Sequence, residues 1–533
     1  MSDNGDQNLS PSGIPCKDIY TPDDIKDIDY AKDLGMSGEP PFTRGPYPSM
    51  YRGQAWTARR LSGFNTPEET NELYKEEYRL GQSGFSVAPD MTTPSGMDAD
   101  DPRAAAEVGH AGVPFSTLQD MEICFADLPI DKVSTYLADR IGGFLTAMYL
   151  VMAEKRGIPM DQVRGTSAND LLAWSALNLL NQVSPEANLR YAVDLIEWCA
   201  ENAPKWNSLS IDSYNARDNG VDAIQEIGLA MANGIQYIEE EKRRGRVPLD
   251  KFVRRFSFNT AVHNDIFEEA CKLRAARRVW YKIITERYGI TDPACARFRV
   301  HVQSSGSTHT YQEPYNNIIR IAFQVLAGVL GGAQSIHANG YDEAICLPTD
   351  QSMLLSIRTG QLIQYESGVT RTIDPLGGSY YIESLTNEME KEIWKFIDEV
   401  EAQGGLAKAI NSGWVHRLYR DAIVNYENKI QTGEIPIVGV NTHRLDEVPY
   451  EVPIFKPDPE RSVANQIEKL QKLKSERDNA KVQECLAKVE EDTRNDENVM
   501  PSTIEAIRNY ATLGELSAIQ LKVYGEWKYP MHI

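Results

Sequence analysis

The stretch SLSIDSYNARDNGVDAIQEIGLAMANGIQYIEEEKRRGRVPLDKFVRRFSFN, residues 208–259, decides the fold because it combines a strand, a helix and a second strand. Its two ends, SLSID (208–212) and RRFSFN (254–259), are short and rich in β-prone residues. Between them, residues 223–245 place apolar side chains at helical spacing and end in glycine, as helices commonly do. This order predicts two parallel strands joined by a crossover helix.

The same alternation continues in both directions along the chain. Further candidate strands are FSVAP (85–89), VSTYL (133–137), RGTS (164–167), RVHVQSSG (299–306) and QSIHANG (334–340). Seven or eight strand–helix repeats of this size predict an α/β fold of the (β/α)8 TIM-barrel type. An open doubly wound sheet is the alternative, but no G-x-G-x-x-G follows the first strand.

Composition divides the chain into three parts. Residues 1–42 are rich in Asp, Ser, Pro and Gly, and we expect an N-terminal arm that contacts a partner. Residues 43–385 contain the strand–helix repeats and form the predicted barrel. Residues 386–533 are mostly helical, and we expect an extension that packs beside the barrel and contacts another subunit.

Charge and cysteine content exclude several classes of protein. The formal net charge is −22, which argues against nucleic acid as a partner because such a surface needs clustered cations. The 7 cysteines include no C-x-x-C pair, which argues against a disulfide framework or zinc site and favours a reducing compartment. The polar start has no signal-peptide core, and no apolar run is long enough to span a bilayer. We therefore expect a cytoplasmic protein that does not bind membranes.

Polar residues concentrate near the predicted strand ends, where barrel enzymes hold their chemistry. They are Asp90, Asp139, Arg140, Thr166, Tyr214, Asn215, Arg299, His301, Gln303, His337 and Asn339. Arg299 and His301 could instead satisfy hydrogen bonds inside the barrel, and His337 could be a structural histidine. No metal-binding motif, nucleophile elbow or Walker loop occurs. The chemistry is therefore expected to come from a cofactor, or the chain to have a binding role.

Several ordered motifs resemble the methylmalonyl-CoA mutase family, over roughly residues 43 to 525. They are TRGPYPSMYRG (43–53), WTARRLSGF (56–64), PKWNSLSI (204–211), KLRAARRVWYKI (272–283), QSSGST (303–308), GGAQSIHANGYDEAICLPTD (331–350), YESGVTRTIDPLGGSYYIE (365–383) and VGVN (438–441). The chain is most similar to stand-alone large subunits of the 2-hydroxyisobutyryl-CoA mutase type. The resemblance implies a barrel whose polar axial channel holds an acyl-CoA, and a radical 1,2-rearrangement that uses adenosylcobalamin.

The resemblance also implies partners. The family's cobalamin-binding motif, D-x-H-x-x-G, does not occur in this sequence. We therefore expect a separate small subunit to supply the cobalt ligand, with the N-terminal arm as its clamp. Two large and two small chains are expected to form a heterotetramer.

The family's binding residues carry over by position. The substrate-binding set implied by the resemblance is Tyr47, Met50, Gln54, Thr57, Arg59, Ser86, Ala88, Thr166, Ala168, Arg299 and His301. The set implied to contact the cofactor is Pro89, Ala111, His337 and Glu366, with Glu366 facing the adenosine ribose. No metal ligand is expected in this chain itself.

The implied acyl pocket departs from the family pattern. Leu61 stands where methylmalonyl-CoA mutases have Tyr, Asn178 replaces the Arg that pairs with the substrate carboxylate, and Ala168 replaces Gln. Asn215 replaces a His beside the retained Tyr214. The neutral amide of asparagine cannot replace the charged, planar guanidinium of arginine without losing selectivity for a carboxylate.

These changes predict a branched or bulky acyl group rather than methylmalonyl, with Leu61, Asn178, Tyr214 and Asn215 as the catalytic set. Ala88 stands where hydroxyisobutyryl-type pockets have Asp, so that activity is not expected unchanged. Asp139 and Arg140 are either a new recognition pair or a salt bridge. The alternative function is a non-catalytic subunit that binds acyl-CoA or a partner.

Overall fold

A computed structural model describes residues 8–104, 107–177, 183–446, 450–456 and 458–530. Ten short strands, all in parallel pairs, form the central sheet system. They are β1 Thr57–Ala58, β2 Leu61–Ser62, β3 Gly84–Val87, β4 Ser134–Leu137, β5 Gly165–Ser167, β6 Trp206–Asn207, β7 Leu209–Asp212, β8 Phe256–Val262, β9 Val300–Ser304 and β10 Ser335–His337.

Two interrupted strands close these segments into a barrel. β1 pairs with β10 and β2 with β3, so the segment from Thr57 to Ser62 joins both neighbours. In the same way β6 pairs with β5 and β7 with β8. Counting each interrupted strand once gives the predicted (β/α)8 barrel, and the open-sheet alternative is wrong.

All the predicted strands are present, but the sequence did not predict the first barrel strand. Its two halves contain two residues each and are separated by Arg59 and Arg60. So short a segment with two central arginines lacks the run of β-branched and aromatic residues by which strands are detected.

Helices surround the barrel and continue beyond it. Those of the barrel region are α1 Met50–Gly53, α2 Pro67–Arg79, α3 Leu118–Cys124, α4 Phe144–Lys155, α5 Leu171–Leu177, α6 Pro185–Asn202, α7 Tyr214–Asp218, α8 Ala223–Arg244, α9 Leu249–Val253, α10 Ile266–Lys282, α11 Asn316–Leu330, α12 Asp350–Tyr365 and α13 Tyr380–Ala402. Those that follow are α14 Leu406–Asn411, α15 Trp414–Thr432, α16 Pro459–Glu476, α17 Asn479–Arg494, α18 Met500–Arg508 and α19 Leu513–Tyr524.

The C-terminal helices complete the core of the barrel. In α4 every residue from Phe144 to Ala153 is buried, because α18 covers the face that would otherwise meet water. Arg190 in α6 donates to the carbonyl oxygens of Asp492, Thr493 and Glu497 beyond the barrel. These contacts fasten the extension to the barrel helices.

The described part of the N-terminal arm packs on the outside of the barrel. The Ser12 amide and hydroxyl both donate to the Glu268 carboxylate of α10, at 3.0 and 2.9 Å. Ile14 is buried beside it, and the Cys16 thiol lies 3.9 Å from the Tyr381 hydroxyl of α13. None of the helices in the described ranges is long and apolar enough to cross a membrane.

Candidate active site

The parallel strands give the barrel two chemically different ends. We call the end where strands begin the barrel floor; it is marked by Thr57, Gly84, Ser134, Gly165, Phe256, Val300 and Ser335. We call the other end the barrel mouth; it is marked by Ser62, Val87, Leu137, Ser167, Asp212, Val262, Ser304 and His337.

The barrel floor is cationic although the chain as a whole is strongly acidic. The arginines that immediately precede β5, β8 and β9 are Arg164, Arg254, Arg255, Arg297 and Arg299. Only Arg254 of these has a carboxylate partner within the described residues, Asp292. Unpaired arginines beside the axis of a barrel are suited to bind phosphate groups.

Tyr47 and Arg299, both predicted to bind substrate, lie together at this floor. The Arg297 guanidinium lies 5.6 Å from the Tyr47 ring centroid, and Tyr47 is 37% exposed. Arg299 Nη2 donates to the carbonyl oxygens of Arg254 and Phe256, at 2.8 and 2.7 Å. Burial lowers the pKa of Arg299 to about 10, so it stays charged at neutral pH.

The expectation that Arg299 lies at a strand end with His301 is therefore wrong. β9 begins at Val300, so Arg299 lies at the floor, while His301 points into the axis. Three other predicted residues, Met50, Gln54 and Thr57, lie in or beside α1 and β1 at the same end, with Gln54 exposed and Met50 buried.

The axis of the barrel is polar and is crossed by long side chains. The ring of Tyr136 in β4 stacks on His301 in β9, with centroids 6.1 Å apart, and these strands lie on opposite sides of the barrel. The Arg59 guanidinium lies 5.3 Å from the Tyr136 ring centroid. His301 Nδ1 lies 2.8 Å from Ser335 Oγ. The small polar lining implied by the resemblance is thus interrupted at Tyr136.

Two more predicted residues line the strands around this level. Ser86 is buried in β3, and Thr166 in β5 accepts a hydrogen bond from Asn207 Nδ2 at 3.1 Å. Burial lowers the pKa of His301 well below its ordinary value, so the imidazole is neutral. The axis therefore offers hydrogen bonds to a ligand together with the Arg59 cation, whose pKa burial lowers to about 10.

Tyr214 and Asn215 begin α7 immediately after β7, which places them at the mouth. Tyr214 Oη accepts a hydrogen bond from the Gly306 amide at 3.2 Å. Asn215 Nδ2 donates to Asp212 Oδ2 at 2.7 Å, which leaves its second N–H and its carbonyl oxygen for a ligand. Asp212 was not predicted; it also accepts from Asn259 Nδ2 at 3.2 Å.

Leu61 and His337 meet at the mouth through a backbone contact. The Leu61 amide donates to His337 Nδ1 at 3.3 Å. Burial lowers the pKa of His337 to about 3, so the ring is neutral and its proton is on Nε2. Nε2–H is therefore the hydrogen-bond donor that His337 can present to a ligand.

The loop after β3 brings Ala88, Pro89 and Ala111 to the mouth. The Ala88 amide donates to the Ser62 carbonyl, and the Val113 amide donates back to the Ala88 carbonyl, at 2.9 and 2.8 Å. A side chain at Gly112 would lie 2.3 Å from the Pro89 carbonyl oxygen, so glycine permits this close approach. The predicted strand-end residue Asp90 is structural and accepts from Thr92, Thr93 and Gly109.

The structure does not bring Glu366 to the mouth. Glu366 follows α12, which starts near the mouth at Asp350 and runs 16 residues away from it, about 24 Å at 1.5 Å per residue. Glu366 is exposed at that far end. A glutamate that does lie at the mouth is Glu343, an exposed residue near Gly306, beside Asp218 and Tyr214. Removal of bulk water there raises its pKa to about 7.

Asp139 and Arg140 do not form the salt bridge that the sequence left open. Asp139 is buried, and its Oδ2 accepts from the Thr146 amide and hydroxyl, at 2.8 and 2.6 Å. The Arg140 guanidinium instead stacks on Trp174, 3.5 Å from the ring centroid. Ala168 lies nearby in a small apolar cluster with Tyr136 and Ala138. Asn178, predicted to replace an arginine in this pocket, lies outside the described residues.

The histidine and the tyrosine of the mouth are suited to hydrogen bonding rather than to proton transfer. The histidine is neutral, and burial raises the pKa of Tyr214 well above its ordinary value, so the hydroxyl keeps its proton. Within the part of the chain that is described, no group of three or more His, Cys, Asp and Glu side chains could hold a metal ion. These groups can position a ligand by hydrogen bonds while a cofactor supplies the reaction.

Comparisons with known proteins agree with this geometry. The family model described as methylmalonyl-CoA mutase matches residues 9–526. Methylmalonyl-CoA mutase from Rhizobium meliloti is 37% identical over 521 residues, which cover 97% of this chain and 72% of that protein. The 2-hydroxyisobutanoyl-CoA mutase large subunit from Aquincola tertiaricarbonis is 38% identical over 519 residues, covering 97% of this chain and 92% of the relative. The human mitochondrial methylmalonyl-CoA mutase is 37% identical over 523 residues, which cover 97% of this chain and 69% of that protein.

Proposed function

Because the chain belongs to the methylmalonyl-CoA mutase family of isomerases, we propose that it is the large, substrate-binding subunit of an adenosylcobalamin-dependent acyl-CoA mutase. Its reaction is a radical 1,2-rearrangement of the carbon skeleton of a branched or bulky acyl-CoA other than methylmalonyl-CoA. It acts in the cytoplasm with a small cobalamin-binding subunit, as two large and two small chains.

The observation that carries this proposal is the chemical difference between the two ends of one barrel axis. Unpaired arginines at the floor suit the phosphates of coenzyme A, and the hydrogen-bonding groups of the mouth suit a thioester and its acyl group. Arg59, His301, Ser86 and Thr166 lie between the two ends and offer hydrogen bonds to the amides of the pantetheine arm. A ligand that threads the axis therefore meets complementary groups along its whole length.

The mouth residues fit an adenosylated cofactor. His337 Nε2–H is a donor, the Glu343 carboxylate is an acceptor, and the Asn215 amide is both. These groups match the hydroxyls and amides of a ribose and a corrin ring, and we assign to Glu343 the ribose contact first expected of Glu366. When bound, adenosylcobalamin supplies the radical chemistry. His337 and Glu343 hold its adenosyl side, and Tyr214 and Asn215 orient the thioester.

A separate small subunit is supported by the similarity to the 2-hydroxyisobutanoyl-CoA mutase large subunit from Aquincola tertiaricarbonis. That relative is itself a large subunit, and the match covers 92% of it. The N-terminal arm is proposed as the clamp because it leaves Ile19, Tyr30 and Met36 exposed, at 76%, 54% and 57%. We also propose the division into an arm (1–42), a barrel (43–385) and a helical extension (386–533).

A branched or bulky acyl group is supported by the small side chains around the mouth. Ala88, Pro89, Ala138 and Ala168 follow β3, β4 and β5, and Leu61 lies in β2 beside them. Alanines leave volume for branches on the acyl chain, while Asn215 offers a hydrogen bond without an acidic proton.

The test reconstitutes the chain with its small subunit and adenosylcobalamin without oxygen, and supplies branched, hydroxylated and dicarboxylic acyl-CoA thioesters. Isomers are separated by chromatography and identified by mass spectrometry. We expect conversion of a branched thioester, no conversion of methylmalonyl-CoA, and no conversion when the small subunit is omitted. Turnover of methylmalonyl-CoA would refute the substrate proposal. Tight binding of thioesters without any isomer would favour the non-catalytic alternative.

A further inference from the structure

Arg140 is a charged side chain at the mouth that has no ion-pair partner in the described part of the chain. It follows β4 and is half-buried, and its guanidinium carbon lies 3.5 Å from the centroid of the Trp174 ring. No carboxylate lies within 4.0 Å of it, and it makes no hydrogen bond, among the residues that the structure describes. Its neighbour Asp139 is committed to Thr146.

Two buried donors are unsatisfied in this stacked pair. Arg140 Nε and Trp174 Nε1 are both inaccessible to water and have no acceptor. Buried donors are normally paired, because an unpaired one costs free energy that folding does not recover. Two such donors in side chains that stack on each other point to an acceptor outside the residues that the structure describes, and a bound ligand would supply one.

The nearest acidic group is already engaged. Asp212 influences Arg140 electrostatically, but its oxygens accept from Asn215, Asn259 and the Tyr214 amide. Arg140 remains a cation at neutral pH, since burial lowers its pKa only to about 10. The stack on Trp174 covers one face of the guanidinium and fixes its plane, so only its edge is left to bind a ligand.

We propose that Arg140, held by Trp174, binds a carboxylate on the acyl group of the substrate. This inference rests on the proposed mutase function and names its substrate class: the CoA thioester of a branched dicarboxylic acid larger than methylmalonic acid. The acid is recognised from the end of β4, on the side of the pocket formed by Ala138 and Ala168. A carboxylate fits because a guanidinium edge presents parallel N–H donors in the spacing of its two oxygens.

The test measures binding by titration calorimetry, without cobalamin, so that it does not depend on turnover. The probes are methylglutaryl-CoA, its isosteric carboxamide, and free CoA. We expect the wild-type chain to bind the carboxylate thioester at least about tenfold more tightly than the carboxamide. In Arg140→Met this ratio should fall to about one, with the affinity for the carboxamide and for free CoA unchanged.

Two further variants separate recognition from folding. Arg140→Lys keeps the charge but loses the planar fork, and should recover only part of the preference for the carboxylate. Trp174→Phe keeps a ring beneath the guanidinium and removes one donor, and should reduce the preference severalfold. Thermal unfolding should show Arg140→Met at least as stable as the wild type, since it removes an unbalanced charge.

The outcomes distinguish a failure of this inference from a failure of the proposed mutase function on which it rests. Equal wild-type affinity for the carboxylate and the carboxamide, or an equal loss of both in Arg140→Met, would overturn the role of Arg140. Failure of free CoA and of both thioesters to bind the wild-type chain would instead refute the acyl-CoA function itself. A strong preference for the carboxylate that survives in Arg140→Met would assign the recognition to another group.

Discussion

The two ends of the barrel treat charge in opposite ways. At the mouth, a buried cluster of paired charges supports the wall: Lys272 Nζ donates to Glu226 Oε2 at 2.8 Å and also pairs with Glu269, while Arg217 pairs with Glu269 at 3.2 Å. At the floor, arginines such as Arg297 have no carboxylate partner in the described ranges. The difference separates charges that hold the fold from charges that are free for a ligand.

The largest effect is expected where paired charges are broken. Lys272 is fully buried and also donates to the Ala261 carbonyl at 2.7 Å, which ties the cluster to β8 near the mouth. Lys272→Met leaves two buried carboxylates, Glu226 and Glu269, with Arg217 alone to balance them, and should lower the free energy of unfolding by about 3–5 kcal/mol. Chemical denaturation measures this change.

The matched control for that variant is at the floor. Arg164 is exposed and has no ion-pair partner among the described residues, so Arg164→Gln should change the free energy of unfolding by less than about 0.5 kcal/mol. Equal destabilisation by the two variants would contradict the difference between mouth and floor.

The next largest effect concerns ligand binding at the floor. Changing Arg297 and Arg299 together to Gln should weaken binding of free CoA by about 10- to 100-fold, because two phosphate contacts are lost. The loss should shrink as salt is added, since added ions screen exposed charges. Calorimetry with a pantetheine thioester, which lacks the nucleotide phosphates, provides the control and should show little change. An equal loss of affinity for the pantetheine thioester would show that the floor does not bind the phosphates of CoA.

A smaller effect is expected from pH at the mouth. The pKa of Glu343 rises from 4.5 to about 7 because neighbouring protein groups partly desolvate its carboxylate; Asp218 and Asp342 add to the rise and Arg60 opposes it. The unfolded chain therefore loses this proton first, and Glu343 becomes increasingly destabilising as pH rises from about 4.5 to 7. Glu343→Gln should equal the wild type in stability near pH 4 and exceed it above pH 7. Denaturation curves across this range measure the difference, and parallel curves would contradict the raised pKa.

The smallest effect is expected on the axis between the two ends. The Tyr136 hydroxyl bonds to the Ser210 side chain, and its ring contacts His301 and Arg59. Tyr136→Phe keeps the ring and should cost about 0.5–1.5 kcal/mol of unfolding free energy. Thermal denaturation measures this change, and a loss above about 3 kcal/mol would show that more than one hydrogen bond depends on the hydroxyl.

The sequence predicted the architecture because parallel barrels repeat one pattern many times. Each strand–helix unit, such as residues 208–259, has its own apolar periodicity, so one missed unit did not hide the fold. The first strand was missed because its four paired residues are divided between two neighbours, with Arg59 and Arg60 between the pairs. The helices of the extension were visible, but their burial against α4 depends on tertiary contacts that no local pattern records.

The site was predicted less completely, and for geometric reasons. Arg299 was assigned to a strand end because it is two residues from His301, but β9 begins after it and the two point to different regions. Glu366 and Glu343 lie in different motifs, separated by the length of α12, so assigning the contact to the wrong motif moved the carboxylate to the opposite end of the barrel. The contact between Arg140 and Trp174 joins the loop after β4 to α5 and could not be predicted from the spacing of residues in the sequence.

The two interrupted strands have a mechanical consequence. β1 and β6 each pair over only two residues, and they lie half a turn apart around the cylinder. The barrel wall thus consists of two half-barrels, each with a continuous ladder of backbone hydrogen bonds, joined through two short strand pairings. A distortion that widens the barrel therefore breaks the fewest backbone hydrogen bonds if the two half-barrels separate at these short pairings.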